Sequence, residues 1–209
     1  MLSFQTPDSE FGGIGIDPST MSQLLVALMD RIECGVMACG PAGELYHANV
    51  AAQRELSDAR VLRLSSGHVG CAGGCRETWT SALHGAAVRL RSSLISLSDG
   101  QQRLMVALMP VRIGDAGASA AVAMMGRRTV CSPLGLEMLA NTHGLTCAER
   151  RVLSALIANC SAREIAQSHG VTVSTVRTQI QAVRDKLGVR SIDALLLRAA
   201  EVPPVTARH

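Results

Sequence analysis

The stretch from Leu145 to Ala199 constrains this chain more than any other part of it. Short amphipathic segments follow one another there, each bounded by its own start and stop signals. Thr146 suits a helix N-cap, and Glu149, three residues on, completes a capping-box pattern. Val152, Leu153, Leu156 and Ile157 then recur at helical spacing until Asn159 ends the segment. Ser161 with Glu164 repeats the capping signature for a second helix, with Ile165 and Ala166 on its buried side and Gly170 at its C-terminal end. A third helix starts from Thr172 or Ser174, places Val176, Ile180, Val183 and Leu187 along one face, and closes at Gly188. A fourth, Ile192 to Ala199, gives Ile192, Leu195 and Leu196 to a core.

The other face of the third helix carries Thr175, Arg177, Thr178, Gln181, Arg184 and Lys186. Hydroxyls, carboxamides and guanidinium groups are the partners that base edges and phosphates require. A short helix, a glycine-containing turn and a second helix of mixed donor character describe a helix-turn-helix. A small helical bundle with a merely solvated polar face fits the same spacing.

The order of residues separates the two. Leu145-Thr146 with Glu149, Val152-Leu153, Ser161, Arg163-Glu164-Ile165-Ala166, Val171, Thr175-Val176-Arg177, Lys186-Leu187-Gly188-Val189 and Arg190-Ser191 resemble the LuxR-type (GerE- or NarL-type) DNA-binding domain. Three positions depart from that pattern: Cys147, where a helix-starting residue such as proline is common, His169 in place of leucine, and Gln179 in place of histidine. The resemblance implies an all-α four-helix helix-turn-helix domain whose third helix enters the major groove of double-stranded DNA. Arg177, Thr178 and Gln181 would approach bases, while Thr175, Arg184 and Lys186 would favour phosphates. It also implies a homodimer with Leu197 at the two-fold contact, and leaves RNA polymerase as a further candidate partner.

Charge agrees with this placement. From Leu145 onward there are nine Lys/Arg against five Asp/Glu, whereas residues 1–144 hold eleven against twelve. Lys186 is the single lysine of the chain. The preceding part therefore has no P-loop, Schiff-base or kinase lysine, and none to accompany the aspartate of a phosphoacceptor receiver domain. No Ser/His/Asp order, paired-carboxylate setting or nucleotide loop stands out either, so a non-enzyme is expected. No apolar run reaches the length of a membrane span and no signal peptide is visible, which predicts a cytoplasmic protein with no membrane partner.

In 209 residues the apolar fraction is 47%, with Phe4, Phe11, Tyr46 and Trp79 as the complete aromatic set. Cores must be aliphatic, and Tyr46 and Trp79 read as core more readily than as pocket walls. Residues 1–20 read as a flexible lead-in and 203–209 as a tail. Between 21 and 128 the pattern alternates: an amphipathic helix from Met21 to Ile32, strands at Gly35–Cys39 and Glu44–Ala48 around Gly40–Gly43, and a helix from Val50 capped by Asn49. A loop-like Ser57–Gly74 and a helix Arg76–Ala87 follow. Strands are then expected at Val88–Ser96, Leu104–Val111 and Ala118–Met125, with a loop at Gly114–Gly117. This order, with Gly35-Val36, Gly43 and Ala48-Asn49, resembles a PAS-like sensor fold, an α+β domain of antiparallel sheet and helices. That would make 21–128 a sensor and dimerisation domain with room for a small-molecule ligand, 129–144 a linker helix, and 145–202 the output domain. The scarcity of aromatics argues against the aromatic-rich lactone pockets of quorum-sensing receptors.

The cysteines add an alternative. His68, Cys71, Cys75 and His84 gather soft and borderline ligands near flexible glycines, so a metal- or thiol-redox-responsive regulator is a second reading of the same chain. An incidental glycine-rich loop is a third. No cofactor is required for DNA binding itself, and the identity of any cofactor is open.

Overall fold

In the computed structural model the described residues are 17–71, 73–113, 118–127 and 129–205. Helix α1 (Pro18–Met29) opens on Asp17, whose carboxylate accepts from the amides of Ser19 and Thr20. Hydrogen bonds from Thr20 and Ser19 hold that carboxyl far below the usual carboxylate range. With Pro18 at the first helical position the helix begins before the expected Met21, and it ends at Met29 rather than Ile32.

Strands β1 (Val36–Cys39) and β2 (Leu45–Ala48) pair antiparallel, Met37 opposite Ala48. Gly43 makes their turn possible. It has φ +94°, and a Cβ there would stand 2.9 Å from the Val69 carbonyl. Helix α2 (Val50–Asp58) follows, capped by Asn49 as expected. The segment 57–74, read from the sequence as a loop, instead contains a hairpin of β3 (Leu62–Ser65) and β4 (His68–Cys71). Ser66 and Gly67 both take positive φ in its two-residue turn. Val61, Leu62, Val69 and Cys71 are buried, so the hairpin is a lid on the core rather than a free loop.

Helix α3 (Arg76–Ala87) leads to β5 (Ser93–Ser98), β6 (Arg103–Ile113) and β7 (Ala118–Met125). The expected strand over Val88–Ser96 is thus displaced. Residues 88–92 form a loop held to α3, with the Arg91 amide donating to the Gly85 carbonyl at 2.9 Å. The loop expected at Gly114–Gly117 lies outside the described residues. The five strands form one antiparallel sheet in the order β2-β1-β7-β6-β5. Period-two alternation sends Met37, Cys39, Leu97, Leu104, Val106, Leu108, Ala121 and Ala123 to one face. There they meet Ala52 and Leu56 of α2 and Trp79, Leu83, Ala86 and Ala87 of α3. Trp79 is a core residue whose indole donates to the Val69 carbonyl at 2.9 Å, whereas Tyr46 is 56% exposed.

Helix α4 (Pro133–Thr142) is capped by Ser132. Helices α5 (Cys147–Ile157), α6 (Ala162–His169), α7 (Val173–Leu187) and α8 (Ile192–Ala200) surround a second core of Val152, Leu153, Ile165, Val176, Val183 and Leu195. Residues 203–205, set apart above as a tail, are pinned. The Ser132 hydroxyl donates to the Val205 carbonyl at 2.7 Å, and the Glu33 amide to Pro204 at 2.8 Å. The chain is therefore α+β, an antiparallel sheet with helices followed by a helical part. No helix among the described residues is long and apolar enough to cross a membrane.

Candidate nucleic-acid interface

Helix α7 is set by its two ends. The Thr172 hydroxyl accepts from the Thr175 amide at 3.1 Å, and Gly188 closes the helix in the left-handed region at φ +68°. Helix α6 arrives with the capping box expected of Ser161 and Glu164, both hydrogen bonds being present, and stops on Gly170 at φ +66°. Between these caps Val176, Ile180, Val183 and Leu187 are buried, while Thr175, Arg177, Thr178 and Gln181 are exposed. The amphipathic division read from the sequence is the one the helix adopts.

The six polar residues differ sharply in what already occupies them. The Thr175 hydroxyl lies 2.8 Å from that of Thr172, and the Thr178 hydroxyl donates back to the Ser174 carbonyl at 3.1 Å. The Gln181 amide donates to the Asp185 carboxylate at 2.7 Å, and its carbonyl accepts from Arg184 at 3.1 Å. Arg184 is half-buried. It also reaches the Arg190 carbonyl, so it ties the end of α7 to the segment before α8, and its Nε is buried without a partner. Arg177 alone among the six has no side-chain partner among the described residues, and it is exposed.

Lys186 is exposed and already paired within the chain. Its ammonium donates to the Glu149 carboxylate at 2.7 Å and to the Gly144 carbonyl at 3.0 Å. Glu149 is the capping-box glutamate of α5, accepting from the Thr146 amide at 2.7 Å. One carboxylate thus closes the start of α5 and anchors the end of α7. Lys186, followed by the Thr146 amide, holds the Glu149 carboxyl below the usual range. The one signal for this pairing in the sequence is a lone lysine at the end of an otherwise apolar-backed helix, which periodicity does not single out. Of the positions that depart from the LuxR-type pattern, Cys147 is exposed at the first turn of α5, while His169 and Gln179 are half-buried.

The metal reading of His68, Cys71, Cys75 and His84 is corrected. Cys71 and Cys75 are joined by a disulfide, so neither offers a thiolate to an ion. The His68 ring nitrogen lies 2.9 Å from the Ser66 carbonyl within its own turn, and His84 sits exposed on α3. Among the described residues no group of three or more His, Cys, Asp or Glu side chains converges as metal ligands would.

No family model matches the chain, and no curated protein matches it. Among solved structures it is similar to the Vibrio cholerae VqmA dimer in the absence of target DNA, which is described as a LuxR-type receptor. Identity there is 16% over 84% of this chain and 86% of that one, with a TM-score of 0.39. The phage VqmA–DPO complex gives 15% identity, 89% and 93% coverage and the same TM-score of 0.39. A VqmA–ligand–DNA complex from Vibrio gives 18% identity, 88% and 90% coverage and a TM-score of 0.40.

Proposed function

We propose that this protein is a sequence-specific DNA-binding transcriptional regulator. In this reading α6, its glycine turn and α7 are the helix-turn-helix, α7 lies in the major groove, and the sheet-containing part is a PAS-like sensor and dimerisation domain that controls it. The observation that carries it is Arg177: an exposed guanidinium without a side-chain partner among the described residues, on the polar side of a helix whose opposite side is committed to a core.

A planar guanidinium so placed presents two parallel donors to guanine O6 and N7. Gln181 is the second reading side chain. Its carboxamide would exchange Asp185 and Arg184 for an adenine edge, and until then those neighbours hold it. Thr175 would supply its hydroxyl to a phosphate beside the helix start, and Thr178 its own to a base edge. Arg184 and Lys186 brace α7 from the protein side as well as standing where the expected phosphate contacts would draw on them.

In the dimer, Leu197 of α8, which is 64% exposed, would meet its two-fold copy. A small-molecule ligand held by the part spanning 21–128 would bias the spacing of the two α7 helices, with the segment 129–144 transmitting the change. RNA polymerase would be the partner of the bound dimer.

The test is selection of bound duplexes from random DNA using the full chain. A recovered two-fold site, with half-sites about one helical turn apart, supports the proposal. Recovery of no enriched sequence under salt conditions that permit general DNA binding contradicts it.

A further inference from the structure

A cleft of about 330 Å³ lies between α3, the loop 88–92 and the edge strand β5, far in sequence from α7. Arg89 and Arg91 line it together with the hydroxyl residues Thr78, Ser81, Ser92 and Ser93, and among the described residues no Asp or Glu does. The two guanidinium groups make no ion pair and no side-chain hydrogen bond among the described residues. Nor do the hydroxyls of Thr78, Ser81 and Ser92. The Ser93 Oγ is buried with no hydrogen-bond partner among the described residues, a state that costs free energy unless a partner is supplied.

The loop is built to hold this arrangement. The amides of Arg89 and Arg91 are bonded back to the His84 and Gly85 carbonyls, and Leu90 between them takes φ +53°, a left-handed conformation rare for a leucine. Guanidinium groups beside the carbonyl end of α3 also offset its dipole. That role leaves the uncommitted hydroxyls, and the buried one above all, without an explanation.

We infer that this cleft binds the phosphate group of a small phosphate monoester. Two arginines lining one cleft match the charge of a phosphate dianion, and the hydroxyl residues beside them would supply further donors to its oxygens. The volume is roughly ten times a water's share of liquid, more than a phosphate alone fills. Half-buried Ile95 and Ala82 on the wall offer apolar contact to a small organic body. The inference is independent of the DNA-binding reading, since none of these residues belongs to α7.

Calorimetric titration of the full chain with glucose 6-phosphate at low ionic strength tests it, with glucose as the control and the Arg177→Ala variant as a second. Saturable binding at one site, weakened about tenfold or more in the Arg89→Gln/Arg91→Gln variant and unchanged in Arg177→Ala, is the expected result. Both arginines are exposed, so the double variant should keep the wild-type unfolding midpoint, and Ser93→Ala should weaken binding severalfold as an independent check. Absence of saturable binding overturns the inference. So do binding that survives the double arginine change, binding lost equally in Arg177→Ala, or equal binding of glucose.

Discussion

Asn49 joins more of the sheet-containing part than any other polar residue described. It is fully buried, and its carbonyl oxygen accepts from the Val36 and Ala52 amides at 2.9 and 3.0 Å. Its amide donates to the Met29 and Cys34 carbonyls, each at 3.0 Å, so one side chain fixes the end of α1, the start of β1 and the cap of α2. Asn49→Ala should destabilise this part by about 2–4 kcal/mol, the cap and the orphaned buried groups together, as read from urea unfolding. Lys186 gives a second prediction with a definite sign. Its ion pair depresses the Glu149 carboxyl, so that contribution is present above the ordinary carboxylate range and is lost as pH falls through the lowered value. Solvent at the 35%-exposed Lys186 side chain limits the pair to about 1 kcal/mol. Wild type and Lys186→Met should therefore differ most at neutral pH and converge only once the pH has fallen below the lowered Glu149 value. Buried Cys39, its thiol pushed up to about 12 by desolvation, takes no part in that titration.

At the level of elements, the helical part was the more legible half because its boundaries are set by neighbours in sequence. Thr146 with Glu149, Ser161 with Glu164, Gly170 and Gly188 each act within one turn, and each does in the structure what its spacing implied. Removing the α7 cap by Thr172→Ala should cost about 1 kcal/mol in thermal unfolding of the second core. Strands obey a different rule, since a partner distant in sequence decides where they begin. The β3–β4 hairpin is hard to read from the sequence because Arg63, Leu64 and Ser65 are all exposed and Leu62 alone in β3 is buried. The strand expected from Val88 begins at Ser93 because β6 pairs only from Leu108 to Arg103, and Leu90 turns the chain away before that register starts. Of the interface, the division of α7 into two faces was readable. That Lys186 and Arg184 face inward partners was not, since Glu149 and Gly144 are brought beside Lys186 only by the packing of α5 on α7.

At the scale of the whole molecule, two separate cores are joined through α4 and through residues 203–205, which bond both Glu33 and Ser132. Under the proposed function, a signal received by the sheet would have a short covalent and hydrogen-bonded route to α5–α8. Two-fold assembly would add the second α7 that a palindromic site requires. Leu197→Glu should shift the sedimenting species toward monomer and weaken DNA binding, while leaving the unfolding midpoint close to wild type, because Leu197 is outside both cores. The central claim is that Arg177 reads a base. The most direct measurement is fluorescence anisotropy of wild type and Arg177→Ala on the selected duplex and on a scrambled one across a range of salt. The account predicts that the variant loses about 1–3 kcal/mol on the selected duplex and much less on the scrambled one. Equal affinities for wild type and variant on both duplexes would contradict it.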